Sequence, residues 1–152
     1  MSLVQMRPEG GTAYGTLEWV AYASNAFNTM VPFYADVDET PEYLANTTGE
    51  VSTGNFYWTS RMIAAMADAS YGKSLFHVEH YQENVLAKSH ALINQYDALL
   101  ADEKDPEKQM ELKRKANRKV AEMVQKEASA TLKKVLYELS NQMKNSYARS
   151  DV

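Results

Sequence analysis

Hydrophobic and polar residues follow a strand-like pattern in the first third of the chain. Residues 4–7, 16–23 and 25–34 are rich in β-forming side chains with approximate alternation, and Gly- and Pro-containing turns separate them. The pattern predicts short antiparallel strands within residues 4–37, with Pro32 indicating an edge strand. Three strands leave one apolar face uncovered, so this sheet either packs on the chain's own helices or completes a sheet supplied by other sequence.

From residue 38 onward the spacing of apolar residues becomes helical. Thr40 followed by Pro41 is a helix-start signal that predicts a short helix. Residues 55–70 contain good helix formers and end before Tyr71 and Gly72, a C-cap signal. We therefore predict a helix over residues 55–70.

Two longer helices follow, and together they predict a helical hairpin over residues 74–147. Ser74 is the expected cap of the first helix, and a polar turn at residues 102–106 separates it from the second. One apolar stripe comprises Val78, Tyr81, Val85, Leu92, Tyr96 and Leu99. The other comprises Met110, Ala116, Val120, Met123, Ala128, Leu132, Val135, Leu139, Met143 and Tyr147. Because the turn is short, the two helices should be antiparallel neighbours, which gives an α+β fold class.

Composition fits this division into two parts. The 152 residues are 45% hydrophobic, which is enough for a single domain with its own core. The net charge is −4, but it is unevenly distributed. Residues 1–72 contain two basic and eight acidic groups, whereas residues 73–152 contain fourteen basic and twelve acidic groups. Eleven of the sixteen aromatic residues precede Gly72, as expected if that part forms sheet and core.

Several classes of function are excluded by what the sequence lacks. The absence of cysteine excludes disulfides, thiolate zinc sites and a cysteine nucleophile within this chain. No secretory signal precedes residue 4, and no apolar run approaches the roughly 18 residues that a membrane helix needs. We therefore expect a cytoplasmic location, no membrane partner and no cofactor.

Two clusters of charged residues resemble functional sites, but neither has the spacing or the charge pattern that such a site needs. His77 and His80 stand beside Glu79 and Glu83, but the spacing is not a zinc-binding pattern and no third ligand is evident, so no metal site is predicted. A basic run between residues 113 and 119 is interleaved with glutamates at helical spacing. It comprises Lys113, Arg114, Lys115, Arg118 and Lys119. We interpret it as an exposed face with salt bridges, and nucleic-acid binding is not expected.

Arg7 is the residue that the sequence singles out for a site. It ends a short strand immediately before Pro8, and it is one of two basic residues in the first 72. Two interpretations stay open. Arg7 is either an ordinary ion-paired arginine, or a guanidinium that orients a nucleophile or binds a substrate carboxylate through its planar donors.

Four blocks of sequence resemble a known family. They are Val4-Gln5-Met6-Arg7-Pro8-Glu9, Leu17-Glu18-Trp19-Val20-Ala21, Val31-Pro32-Phe33-Tyr34 and Tyr57-Trp58-Thr59-Ser60-Arg61. In this order and spacing they resemble the C-terminal half of the dipeptidase A family of N-terminal-nucleophile cysteine hydrolases, and a weaker resemblance extends to about residue 147. The resemblance implies a four-layer αββα sandwich and an N-terminal cysteine that serves as thiolate and amine base.

The resemblance also implies which parts of the site this chain supplies. Because the chain has no cysteine, residues 4–152 would be the C-terminal segment of a larger dipeptidase, inactive alone and completed by a missing N-terminal half. In related amide hydrolases of this superfamily, an arginine on a strand late in the chain lies beside the nucleophile. By strand order Arg7 would take the place of that arginine. Asn25 and Asn28, expected on the third strand, would be weaker polar supports. The oxyanion donors and the main substrate pocket would lie in the missing half.

The resulting hypothesis is a cysteine-type peptidase that hydrolyses dipeptides. Its partners would be dipeptide substrates and the missing half, with a homo-oligomer formed through the hairpin as a further expectation. The alternative function is a non-catalytic interaction module in which the exposed faces of the helical hairpin bind a partner protein. Periodicity alone does not decide between these two functions.

Overall fold

The computed structural model describes residues 1–23, 26–45 and 47–143. In these residues the chain has an α+β fold with three strands and four α-helices, which confirms the predicted class. The strands are β1 (Ser2–Met6), β2 (Thr16–Val20) and β3 (Val31–Tyr34). The helices are α1 (Gly11–Tyr14), α2 (Phe56–Ala69), α3 (Tyr71–Asp102) and α4 (Pro106–Ser140). Within the described residues, none of these helices is long and apolar enough to cross a membrane.

The three strands form one antiparallel sheet in the order β1-β2-β3. Leu3 pairs with Trp19 across the first ladder, and Leu17 pairs with Tyr34 across the second. A 3-10 turn and the short α1 connect β1 to β2, and the Arg7 backbone N–H donates to the Gly15 carbonyl at 2.6 Å. A Cβ at Gly15 would lie 2.2 Å from the Gly11 carbonyl oxygen, so only glycine fits this close approach.

The two edges of the sheet have different environments. At β3 the side chain of Asn117 on α4 accepts from the Tyr34 N–H at 2.8 Å and donates to the Tyr34 carbonyl at 3.0 Å, so one amide takes the place of a neighbouring strand. At β1 every residue is exposed, including Leu3, Val4 and Met6. A strand edge with apolar side chains and unpaired backbone groups is a template for another strand.

Helices α3 and α4 form the predicted antiparallel hairpin. They contain 32 and 35 residues, and residues 103–105 connect them. Lys88 lies 2.5 Å from Glu127, and His77 lies 3.4 Å from Glu138. The earlier residue of α3 thus contacts the later residue of α4, as in an antiparallel pair. Asp105 caps α4 by accepting from the Glu107 N–H, and Pro106 occupies its first turn.

The main core lies between α2, the hairpin and β3. Its fully buried members include Phe56, Ile63, Val78, Val85, Val120 and Val124. A second cluster joins the sheet to the far end of the hairpin, and it comprises Leu17, Tyr34, Ile93, Tyr96, Leu100 and Ala116. Both faces of β3 are therefore buried, whereas β1 extends beyond the helices.

Several predicted boundaries are wrong. The short helix predicted after Thr40 is absent, and residues 41–45 form turns instead. The Leu44 and Ala45 N–H groups donate to the Pro41 carbonyl, and no further helical turn follows. Helix α3 begins at Tyr71, and Ser74 lies buried inside it with its hydroxyl 2.5 Å from that of Ser70. The predicted cap is thus an interior contact between α2 and α3.

The predicted third strand and the hairpin stripes also need correction. Residues 26–30 lie outside any strand, since β3 begins at Val31. Leu99 is 46% exposed while its neighbour Leu100 is fully buried, because the stripe drifts around this long helix. Met143 is exposed after the end of α4, and Tyr147 lies outside the described residues.

Candidate functional site

Arg7 lies at the centre of a polar cluster that connects the sheet to α3. Its Nη1 donates to Asp97 Oδ2 at 2.5 Å and its Nη2 donates to Asp97 Oδ1 at 3.1 Å, which is a bidentate pair across 90 residues of sequence. Nη2 also donates to the Tyr14 carbonyl, and the guanidinium lies 5.5 Å from the centroid of the Tyr14 ring. Only 11% of the Arg7 side chain is exposed.

Tyr34 completes this cluster from β3. Its hydroxyl donates to Asp97 Oδ1 at 2.7 Å. Burial, and then the hydrogen bond to the Asp97 carboxylate, raise the pKa of the Tyr34 hydroxyl far above its ordinary value. Tyr34 therefore acts as a neutral donor, and Asp97 connects the end of β1 and the end of β3 to α3.

The donors of Arg7 are directed towards this chain's own groups. Both terminal nitrogens are engaged, and the buried Nε has no hydrogen-bond partner among the described residues. The bidentate Asp97 neutralises the guanidinium charge locally, so the cluster fixes the position of the β1–β2 connection. The role of Arg7 beside a nucleophile stays a prediction.

Of the two asparagines predicted as polar supports, Asn28 does not lie on a strand beside Arg7. Asn28 lies in the segment before β3 and is buried, and its carbonyl accepts from Gln82 Nε2 on α3 at 2.6 Å. That bond ties the segment to the hairpin. Asn25 lies outside the described residues.

The charged clusters have structural partners. His80 lies 3.8 Å from Glu83, and His77 points instead to Glu138 on α4. In the described ranges no three His, Asp or Glu side chains are grouped to hold a metal ion. The basic run of α4 pairs mainly with the acidic loop after β3, through Lys113–Asp36, Arg114–Asp38 and Arg118–Glu39. Lys113 is buried, so the prediction of a wholly exposed face is wrong at that position.

The face of the sheet opposite α3 borders a second feature that the sequence did not indicate. A cavity of about 490 Å³ opens beside β1 and β2 and reaches the loop after β3. Glu18, Val20 and Phe33 form its sheet side, while Pro41 and Leu44 form its loop side. Burial, and then the charge of Glu18, raise the pKa of Tyr22 at this cavity. The sheet face is therefore mainly apolar with one acidic group.

A third feature is a groove along α2 that contains the other basic residue of the first 72. It has a volume of about 540 Å³ and is lined by Ala23, Phe27, Tyr57, Arg61, Ala64, Ala65 and Asp68. The guanidinium of Arg61 lies 5.6 Å from the ring centroids of both Tyr57 and Trp58. The aromatic pair followed by arginine at helical spacing is the signal from which this site could have been found.

Comparisons with known proteins agree on one group of enzymes. The model of peptidase family C69 matches residues 1–84. A probable dipeptidase A of Streptococcus pyogenes serotype M18 is 40% identical over 152 residues, which cover 99% of this chain and 31% of that protein. A dipeptidase of Bifidobacterium longum is 33% identical over an alignment of 189 residues, which covers 99% of this chain and 35% of that protein. The chain thus spans about a third of the length of these curated relatives.

Proposed function

This chain belongs to peptidase family C69, and from that membership we propose that it is the C-terminal part of a cytoplasmic dipeptidase whose cysteine nucleophile lies in a preceding segment. The relatives that it matches across 99% of its length carry the names dipeptidase and probable dipeptidase A. Because this chain contains no cysteine, a cysteine nucleophile would lie elsewhere in the protein.

The open edge of the sheet is the observation that carries this proposal. Strand β1 is five residues long and wholly exposed, with apolar side chains on both of its faces. It contains no proline or lysine, the residues that usually protect an edge from further pairing. Such a strand fits a sheet that continues into another part of the same protein.

A four-layer αββα sandwich is the proposed architecture of the whole enzyme. Helix α3 packs on one face of the sheet, where His90 lies 5.7 Å from the Trp19 ring. On the opposite face the main core covers Phe33 of β3, whereas Val4 and Met6 of β1 are exposed, and the cavity of about 490 Å³ opens on this face. An apolar sheet face of this kind suits a second sheet packed about 10 Å away.

The chemistry would be nucleophilic amide hydrolysis. The cysteine thiolate would attack the carbonyl carbon of the peptide bond, and the C–N bond would break as the leaving amine takes a proton from the N-terminal ammonium. Water would then cleave the thioester to release the second amino acid and regenerate the thiol. The Arg7 cluster would hold the strand ends beside this centre, with Asn28 as a more distant support.

Hydrolysis of a dipeptide panel by the full-length protein tests the proposal. We expect free amino acids from the full-length protein, none above a buffer control from residues 1–152 alone, and none after replacement of the N-terminal cysteine by alanine. Separate expression of the preceding part with this chain should restore activity if the open edge of β1 is completed by that part. Amino acid release by residues 1–152 alone, or none by the full-length protein, would contradict the proposal.

One observation favours the alternative of an interaction module. Phe76, Leu86 and Tyr137 are exposed on the hairpin. They are suited to contacts with a second copy of the protein or with another partner. Sedimentation of the full-length protein and of its Phe76→Ser and Tyr137→Ser variants would reveal an assembly that depends on the hairpin. Such an assembly in a full-length protein that hydrolyses no dipeptide would favour the non-catalytic module.

A further inference from the structure

Glu18 is a carboxylate on the mainly apolar face of the sheet that lies opposite α3. It is the middle residue of β2, the middle strand, and its cross-strand neighbours on that face are Val4 of β1 and Phe33 of β3. Its side chain is partly buried and lines the cavity of about 490 Å³. Glutamate is uncommon in strands, so its place between two apolar neighbours needs a specific reason.

No cation of the described residues pairs with this carboxylate. No Lys, Arg or His nitrogen in this part of the chain lies within 4.0 Å of the Glu18 side chain. The amino group of Met1, which also lines the cavity, donates to the Ala21 carbonyl at 2.8 Å. Glu39, the other acid of the cavity, lies 2.9 Å from Arg118. The negative charge of Glu18 is therefore unpaired among the residues that the structure describes.

This charge affects the cavity around it. After burial, the charge of Glu18 is the second cause that raises the pKa of Tyr22. The described residues that line the cavity include no basic side chain, and Val20, Phe33 and Leu44 form apolar walls. A segment that covers this cavity thus meets an apolar surface with one unpaired negative charge.

Covering this face changes the energetics of Glu18. In the proposed sandwich a second sheet packs on the face at a distance of about 10 Å. Because β2 is the middle strand, a sheet that covers both Val4 and Phe33 also covers Glu18. An ionised carboxylate in such an interior is strongly unfavourable unless it is paired and hydrogen-bonded. The backbone N–H groups of a facing sheet point towards its own strands, so the partner has to be a side chain.

We propose that Glu18 pairs with a basic side chain on a strand of the preceding part of the protein, which packs over this face; the inference rests on the two-part enzyme of the proposed function. An arginine suits the position best, because its planar fork binds both carboxylate oxygens and is more weakly hydrated than an ammonium group.

Charge complementarity favours this occupant. Residues 1–72 contain two basic and eight acidic groups. The two basic residues lie elsewhere, since Arg7 pairs with Asp97 on α3 and Arg61 belongs to α2. The nearby cations of α4 pair with the acidic loop after β3. The partner of Glu18 therefore comes from outside this chain.

Such a pair would determine how the two sheets align. An apolar face tolerates a facing sheet in several positions, whereas a buried ion pair is satisfied in one arrangement. Val4 is the neighbour of Glu18 on β1, and Arg7 follows three residues later at the end of that strand. Alignment at Glu18 would thereby also fix the facing strands relative to the Arg7 cluster, beside which the reacting centre is proposed.

Urea unfolding of the full-length protein tests the pair. Glu18→Gln keeps the shape of the side chain and removes its charge. We expect it to raise the unfolding equilibrium constant at least about tenfold, because the partner cation is left buried without its carboxylate. Glu18→Lys places two cations together and should raise the constant further. Glu79→Gln is the matched control, since Glu79 is an exposed glutamate of α3 without a salt bridge in the described ranges, and it should change the constant by about twofold or less.

A charge-reversal series identifies the partner. In the Glu18→Lys background, each Arg and Lys of the preceding part is replaced in turn by Glu. We expect one of these replacements to restore the unfolding constant to within about threefold of the wild type, because it recreates the pair with its charges exchanged. The same replacement alone should destabilise the protein as Glu18→Lys does.

Two outcomes overturn the pair. One is a Glu18→Gln variant that is as stable as the wild type or more stable, since the carboxylate is then in solvent or buried without a cation. The other is a reversal series in which no single replacement restores Glu18→Lys. Dipeptide hydrolysis by the wild type is measured separately. An active enzyme with an unchanged Glu18→Gln stability overturns the pair alone, whereas an inactive protein with a restored pair overturns the dipeptidase function alone.

Discussion

The helical hairpin and strand β1 represent two different ways of stabilising a segment. In the hairpin, apolar side chains such as Val85 and Val124 are fully buried against each other and against α2. In β1, Leu3 is 57% exposed and the outer edge pairs with nothing in the described residues. In the described residues the buried face of the hairpin is covered by this chain's own side chains, whereas β1 leaves apolar side chains in solvent.

The largest effect should distinguish two adjacent leucines of α3. Leu100→Ala should lower the free energy of unfolding by about 3–5 kcal/mol, because it opens a cavity where the sheet meets the hairpin. Leu99→Ala should cost under about 1 kcal/mol because that side chain is largely in solvent. Chemical denaturation of both variants gives the two values. Equal costs would mean that the apolar stripe of α3 is rotated from the position described. Leu132, which is only partly buried, should fall between them.

The Arg7–Asp97 pair connects the two regions and should give the next largest effect. Asp97→Ala leaves a largely buried guanidinium without its carboxylate and should cost about 3 kcal/mol, the low end for a broken buried pair. Arg7→Lys should cost less than Arg7→Ala, since an ammonium still pairs with Asp97. The unfolding midpoint and kcat/KM of each full-length variant, measured together, distinguish a loss of stability from a loss of catalysis. Activity lost without a change in midpoint would place Arg7 in direct contact with the substrate or nucleophile.

The hydrogen bond between Tyr34 and Asp97 can be tested by varying the pH. Its hydroxyl donates to a charged partner, so Tyr34→Phe should cost about 2 kcal/mol near neutral pH. Because the folded-state pKa is raised from 10.0, the hydroxyl's contribution is complete below pH 10 and is lost as pH rises above it. The wild type should therefore lose stability above pH 10 more steeply than Tyr34→Phe in urea titrations.

Tyr81→Phe is the control for that pH experiment. Burial raises the pKa of Tyr81 as well, but its hydroxyl has no hydrogen-bond partner in the described part of the chain. The variant should therefore reduce the alkaline loss without a cost near neutral pH. A Tyr34→Phe variant as stable as wild type at neutral pH would show that the Asp97 contact contributes little.

The smallest effect is expected at β1 in the isolated chain. Leu3→Ser should change the unfolding free energy by less than about 0.5 kcal/mol, because the side chain is already in water. In the full-length protein the same change should cost about 2 kcal/mol if another strand or sheet covers Leu3. Thermal unfolding of both forms checks this. Equal costs would remove the evidence that β1 is completed by the preceding part.

The two regions also differ in how far the sequence predicts them. The 3.6-residue spacing of apolar residues predicts the hairpin and α2 to within a few residues, because each helix buries a local stripe against its neighbours. Ser74 was misassigned as a cap because its hydroxyl meets Ser70 within the joint of two helices, which no local pattern encodes. The family resemblance carried by the strand blocks is confirmed.

The polar contacts were much less predictable than the helices. Arg7 was identified, but its partner lies 90 residues away on α3, and periodicity does not specify which acidic residue of a helix meets a given strand. Asn28 was placed on a strand because β-forming residues surround it, although its segment is fixed by Gln82 instead. For Arg61 the sequence contains one signal, the aromatic pair before it at helical spacing. The groove that Arg61 lines, between α2 and the segment that contains Phe27, requires tertiary structure to be seen.

The side-chain amide of Asn117 determines at which edge the sheet can be extended. By binding both backbone groups of Tyr34, it prevents any further strand from joining at β3. Strands can therefore add at β1 alone, and two copies of the isolated chain can join their sheets only through two β1 edges. The isolated chain is thus prone to edge-to-edge dimers rather than to open-ended fibrils, which need two free edges on every subunit.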